Sequence, residues 1–463
     1  MEESVRDQLF FNPKNGYDRL PQEERIALEE YCDNYIEFLN DSRTEREAVS
    51  NAINEAEQNG FVEYVPGMEL KAGDKIYKSN RGKALMLAVI GQESLANGAV
   101  IAGAHVDSPR LDLKQNPLYE SDELGYFKTH YYGGIKKYQW VTIPLELHGV
   151  IALTNGETVD VVIGHELGEP KFVITDLLPH LAADQMKKTL AEGITGEGLN
   201  ILIGSVPYAD DGKDRVKLAL LSILNDVYGI CEEDFLSAEL TAVPSFDACE
   251  IGLDRSLIGG YGQDDRVCAY AELKAIFEIE NPRRTCVCLL ADKEEIGSMG
   301  VTGMQSRAFE CFMEDLCASQ GVALRHCFEN SFCLSADVCN GFDPNFPEVS
   351  EKMNDARMNY GVGICKFTGA RGKSSTNDAS AETVGFIRRA FSDAGVIWQM
   401  AELGKVDQGG GGTIAQFMAN RNIETIDAGT PVLSMHAPFE VTAKLDCYMT
   451  YKAVKAVYNI GRP

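Results

Sequence analysis

Positive charge is scarce in this chain. Its 463 residues carry 43 Lys and Arg against 70 Asp and Glu, a formal net charge of −27. Nucleic-acid binding needs clustered basic side chains to displace counterions from phosphate, so that class is excluded. The acidic surplus has two readings: solubility, or a field that draws in metal ions and protonated amines. Cysteine is present, but its number, 13, is odd, and no CxxC pair occurs. A complete disulfide framework and a zinc-ribbon spacing are both ruled out. Cys286 and Cys288 stand two apart inside an apolar run, on one face of a strand, as reduced, buried, intracellular cysteines do. No apolar run reaches the roughly 20 residues of a membrane span. The first residues, Met1-Glu2-Glu3-Ser4, lack the apolar stretch of a signal peptide. No internal repeat or low-complexity segment is found. The expectation is a cytoplasmic protein with no nucleic-acid or membrane partner.

What is present is an alternation of strand and helix. Ala99–Gly103 is an apolar run of the kind buried on both faces of a parallel sheet, and it leads into His105-Val106-Asp107. A capping box at Thr44–Glu47 opens a helix that stops before Gly60. Strands are expected at Lys75–Lys78 and Lys83–Ile90. From about Gln115 to Ser256 the texture changes to short β-like runs: Gln139–His148, Val150–Leu153, Thr158–Ile163 and Lys171–Thr175. In that stretch no metal-type cluster is evident. After Ser256 the α/β texture returns. A helix is expected at Asp265–Glu280, strands at Arg284–Leu290 and Ser331–Leu334, and a run Ile426–Met435 ending at His436. A closing helix is expected over Thr442–Tyr458. The fold class is α/β: a mostly parallel sheet covered by helices, with an inserted strand-rich domain. The expected division is a catalytic domain of residues 1–114 together with 257–463, and an insert of residues 115–256.

His105, Asp264, Glu295, Asp337 and His436 stand at element ends. In a parallel sheet the carboxyl ends face one way, so groups distant in sequence converge on one crevice. Two imidazoles and three carboxylates suit two divalent cations of the zinc type, with one carboxylate bridging. Glu294, beside Glu295, faces the bound water as general base, and Asp107 orients the ring of His105. Taken singly each feature has an ordinary reading: a solvated Glu-Glu pair, an N-cap Asp, a core His. Their joint occurrence after buried strands carries the argument. Gln408 to Thr413 contains four successive glycines but not the Gly-Lys-Ser/Thr of a phosphate loop, and reads as backbone lining a pocket. Arg371 and Lys373 are either substrate-carboxylate anchors or ordinary surface cations.

These segments resemble the aspartyl aminopeptidase and vacuolar aminopeptidase I family of dinuclear zinc metallopeptidases. The resemblance is carried by His105 to Leu111, Gln263-Asp264-Asp265-Arg266, Asp292 to Ser298, Ser335-Ala336-Asp337 and Ser434-Met435-His436. It implies a zinc-exopeptidase-like fold and removal of N-terminal residues from peptides. It implies two zinc ions per subunit, with cobalt or manganese as substitutes. Asp264 would bridge the metals. One would take Glu295 and His436, the other His105 and Asp337, with Glu294 as base. It further implies a tetrahedral homododecamer with the insert building dimer contacts. Two departures bear on the preferred residue. Asn340 and Asp343 stand where many members have histidines. Pro179-His180-Leu181 matches, but Asp184 stands where acidic-specific members have a further His. Substrate-binding candidates are therefore Lys373, Asn340 and His180. The rival readings are another amide hydrolase, a carboxypeptidase or deacylase on the same scaffold, and a catalytically silent shell protein.

Overall fold

A computed structural model describes residues 5–460. The N-terminal tetrapeptide considered above lies outside them. A nine-stranded sheet forms the centre. Four of its strands run parallel side by side, in the order Cys286–Ala291, Val100–His105, Phe332–Ser335 and Glu424–Gly429. Both faces are covered. Val100, Ala102 and Ala104 point into one apolar cluster, and Ala99 and Ile101 into the other. Cys286, Cys288 and Leu290 alternate in the same way with Val287, Leu289 and Ala291. This is why these strands read as unbroken hydrophobic runs rather than as alternating ones. Helices Glu24–Asp41, Glu45–Gln58, Gln263–Phe277 and Lys444–Ile460 cover the first face. Helices Ala308–Ser319 and Ala415–Ala419 cover the second. The capping box forms as expected, with the Thr44 side chain accepting from the Glu47 amide and the Glu47 carboxylate accepting from Thr44.

The strand-rich part is a seven-stranded sheet drawn from Arg110 to Pro244. Strand Ala238–Pro244 pairs with both Arg110–Ser121 and Pro144–Ala152, which closes six of the strands into a barrel around Leu147, Trp140 and Phe235. Two expectations change here. Gln139–His148 is not one strand: Lys137–Trp140 is a 3-10 turn, and the strand is Pro144–Ala152, which takes in the expected run from Val150 but stops before Leu153. Helix Arg215–Tyr228 packs on the barrel and was not foreseen.

A third sheet, of five strands, was also not anticipated. The apolar run Ile426–Met435 divides between two sheets, Glu424–Gly429 in the large one and Pro431–Leu433 in the small one. The closing helix begins only at Lys444, because Glu440–Ala443 is a strand paired with Pro431–Leu433. His436 thus sits in the turn of a hairpin, not at the end of a central strand.

All 13 cysteines are free, and ten are buried. Among the described residues no helix is long and apolar enough to cross a membrane.

Strand Val100–His105 is entered through Gly98, whose φ of 84° and ψ of 168° belong to a region that only glycine occupies comfortably. A Cβ there would lie 1.9 Å from the Asn330 carbonyl oxygen. Gly98→Ala is expected to destabilise the protein by at least about 2 kcal/mol, seen as a lower melting temperature. An unchanged melting curve would contradict this account of the strand's entry.

Candidate metal centre

The four parallel strands deliver their carboxyl ends to one edge of the sheet. His105 is the last residue of its strand and pairs with Ala291, so the turn Asp292–Glu295 leaves the sheet beside it. Ser335 pairs with Gly103, which sets Asp337 on the other side. Asp264 arrives from a different direction, at the start of helix Gln263–Phe277, and His436 from the hairpin of the small sheet. His105, Asp264, Glu294, Glu295, Asp337 and His436 all line one cavity of about 440 Å³.

Asp264 lies between the two imidazoles. Its Oδ1 is 3.2 Å from His105 Nε2 and its Oδ2 is 3.1 Å from His436 Nε2. Burial by itself raises the Asp264 carboxyl, but hydrogen bonds from His105 and His436 overcome it and hold the group well below the ordinary range. The remaining acids are not so well served. Burial, with the charge of Asp264, pushes Glu295 well above its usual value, and burial likewise raises Asp337. Burial raises Glu294 to about 7, with Asp107 and Asp264 adding to the shift and His105 and His436 opposing it.

Two buried carboxylates tie the cavity together. The Asp107 carboxylate accepts hydrogen bonds from the amides of Glu294 and Glu295 at 3.1 and 3.2 Å, and from the Tyr132 hydroxyl at 2.8 Å. It lies 3.4 Å from His105 Nδ1, whose shorter contact, 2.9 Å, is to the main-chain carbonyl of Asp107. Either contact fixes the Nδ1–H tautomer and leaves Nε2 free toward Asp264. The second is Glu440, which the sequence analysis missed. It accepts from the Asp264 amide at 3.1 Å and from the His436 amide at 2.7 Å, joining helix start to hairpin. A glutamate four residues after the His, among apolar neighbours, was the available signal. Asp265, fully buried, accepts from the His105 amide at 3.2 Å.

The donor set fits divalent zinc. Atoms of His105, Asp264 and Glu295 converge within 4.8 Å, as do those of His105, Asp265 and Asp337. Glu295 Oε1 is buried without a hydrogen-bond partner, 3.6 Å from His436 Nε2. A bound cation would satisfy a carboxylate oxygen in that state.

The remaining cavity wall mixes apolar residues and glycine with the neutral polar side chains of Ser298, Thr368, Ser375, Thr413 and Gln416. Val338, Cys339, Leu403, Phe417 and Met435 line it, together with Gly410, Gly411 and Gly412. Gly410 has φ of 112°, and a Cβ there would meet the Ala370 backbone at 2.4 Å, so the loop passes close by, as a pocket-lining reading requires. The substrate-binding candidates lie elsewhere. Asn340 lines a neighbouring cavity that shares Met435 and His436 with the first. Lys373 is exposed, pairs with Asp378 at 3.0 Å and stacks over Phe367. His180 is exposed on the strand-rich part and lines neither cavity.

A mostly parallel sheet covered on both faces, with imidazoles and carboxylates gathered at the carboxyl ends of its parallel strands, defines an α/β metalloenzyme. The model of the aminopeptidase I zinc metalloprotease family, M18, matches residues 38–458. A probable M18 family aminopeptidase 1 of Clostridium acetobutylicum is 48% identical over 455 residues, covering 96% of this chain and 98% of that one. The crystal structure of an M18-family aminopeptidase from Thermotoga maritima superposes with a TM-score of 0.93 at 42% identity, covering 97% of this chain and all of that one. The S. cerevisiae mApe1 dodecamer shares the fold at 21% identity and a TM-score of 0.76, covering 95% of this chain and 99% of that one. The chain belongs to the M18 family of aminopeptidases, which are zinc metalloproteases. Membership selects the aminopeptidase reading over the carboxypeptidase, deacylase and silent-shell alternatives.

Glu440→Ala is expected to loosen the link between Asp264 and His436 and to weaken zinc binding by about 10–100-fold. Zinc retention during titration with a competing chelator measures it; wild-type retention would remove Glu440 from the support of the site.

Proposed function

We propose that the cavity holds two zinc ions and that Glu294 is the proton-transfer group of peptide hydrolysis. The observation that carries this reading is Asp264, which presents one carboxylate oxygen to each of two imidazoles, as a bridging ligand does. In this reading Asp264 would be shared by the two ions, His105 and Asp337 would hold one, and Glu295 and His436 the other. Zinc bound there would polarise the scissile carbonyl and acidify water, and cobalt or manganese would serve in its place. Glu294 takes the proton of the attacking water and passes it to the leaving amine. Its turn is held by Asp107, so the carboxylate is aimed before substrate arrives.

The side chain of the substrate's first residue meets Val338, Cys339, Leu403, Phe417 and Met435. Among the described residues no Lys or Arg lines the cavity. An acidic side chain would find no basic side chain in the cavity wall to pair with, so neutral N-terminal residues are preferred.

Residues 1–114 with 257–463 form the catalytic domain in this proposal, and residues 115–256 form an insert that builds dimer contacts. The assembly is a homododecamer of tetrahedral symmetry, supported by the dodecamer of the yeast relative. The location is the cytoplasm, supported by 13 free cysteines. Light scattering of the purified protein is expected to give twelve times the chain mass.

Glu294→Gln should retain zinc at the wild-type level and lose about 10²–10⁴-fold in kcat. Full turnover in that variant would refute the role. Across aminoacyl-arylamides, kcat/KM is expected to be higher for leucyl and methionyl than for aspartyl and glutamyl substrates. The reverse order would refute the neutral preference.

A further inference from the structure

A second convergence of ligand-type side chains lies in the strand-rich part, where the sequence suggested none. Glu146 and His148 are two apart on strand Pro144–Ala152 and so share a face. His165 follows strand Thr158–Ile163, which pairs antiparallel with the first, Leu147 opposite Ile163. Glu146 and His148 are each 1% exposed. His148 Nε2 lies 3.1 Å, and His165 Nδ1 3.5 Å, from the same oxygen, Glu146 Oε1. All three atoms are buried, and none has a hydrogen-bond partner: they converge without being aligned to donate to one another. Ligands of a tetrahedral zinc with bonds of about 2.0–2.1 Å stand about 3.3 Å apart. The two observed separations fall on either side of that spacing.

The surroundings fit the same ion. The other nitrogen of His148, Nδ1, is 2.6 Å from Glu47 Oε1. That bond fixes the Nδ1–H tautomer and turns the Nε2 lone pair toward Glu146. Glu47 is itself held by Thr44 in the capping box at the start of helix Glu45–Gln58. Two cations also face Glu146: Arg43 Nε at 3.2 Å from Oε1, and Lys171 Nζ at 4.0 Å from Oε2. They weaken the hold on a divalent ion relative to the catalytic cavity, where among the described lining residues no Lys or Arg competes.

We propose that Glu146, His148 and His165 bind a structural zinc ion, distinct from the catalytic cavity, that fastens the strand-rich part to the N-terminal helical layer through Glu47. Two imidazoles and one carboxylate select a borderline-soft ion over calcium or magnesium, and water completes the coordination.

The test is zinc itself. Crystals of the full-length enzyme soaked in zinc sulfate are expected to give an anomalous peak at the zinc edge among Glu146, His148 and His165, as well as density in the catalytic cavity. A chelator titration should empty this site first. Because His165 is only half-buried, His165→Ala keeps the fold; it should contain one zinc fewer per chain and keep the turnover of the zinc-loaded enzyme. His436→Ala should lose catalytic zinc and keep this ion, which separates the two sites. A peak in the catalytic cavity with none at Glu146 overturns the proposal, and so does equal zinc content in His165→Ala and wild type. Either result would leave His148 as an imidazolium paired with Glu47 and Glu146 only.

Discussion

Six carboxylates crowd one edge of the central sheet: Asp107, Asp264, Asp265, Glu294, Glu295 and Asp337. Two imidazoles are their cationic partners within the cavity. Asp264 takes both, one at each oxygen. Burial pushes Asp265, Glu295 and Asp337 upward because nothing of opposite charge reaches them on adequate terms. Unpaired buried charge is among the costliest things a fold can carry. A protein that keeps this cluster is built around cations, and zinc is the ion its family uses. The rest of the molecule holds these acids together against their mutual repulsion.

That holding is done mostly by main-chain amides. Asp107 collects the amides of Glu294 and Glu295, and Glu440 those of Asp264 and His436. Each bracket joins a ligand-bearing segment of one element to that of another. Together they connect the large sheet, the helix Gln263–Phe277 and the hairpin of the small sheet. The strand-rich part contributes Tyr132, which donates to Asp107, and the carbonyl of Gly134, 2.9 Å from His436 Nδ1. The cavity thus depends on a part of the chain that supplies none of the candidate ligands. A metal at Glu146, His148 and His165 would stiffen that part at the point where it meets helix Glu45–Gln58.

Legibility varied with how local the signal was. The strands ending at His105, Ala291 and Ser335 were readable because burial on both faces leaves an uninterrupted apolar run. The capping box at Thr44 was readable because its partners are three residues apart. The run leading to His436 misled for a physical reason. Hydrophobicity records burial, not which sheet a strand joins, and a single residue, Thr430, separates strands of two sheets. Glu440 was passed over because a lone glutamate carries no periodic signature; its role comes from two amides, one 176 residues away. The cluster of Glu47, Glu146, His148 and His165 escaped for the same reason, since its members come from a helix start, a strand and a loop.

Residue types and their order along the chain determined the class: an acidic, cysteine-reduced α/β protein with two histidines and several carboxylates at element ends, resembling a zinc aminopeptidase. Short-range physics, strand burial and helix capping, is written in neighbouring residues, so a linear reading recovers it. Tertiary structure alone decided which acids face which imidazoles, that His436 arrives on a hairpin, and that Asp107 and Glu440 brace the centre. Most of those outcomes depend on packing between segments well over a hundred residues apart, and no local pattern encodes such distances.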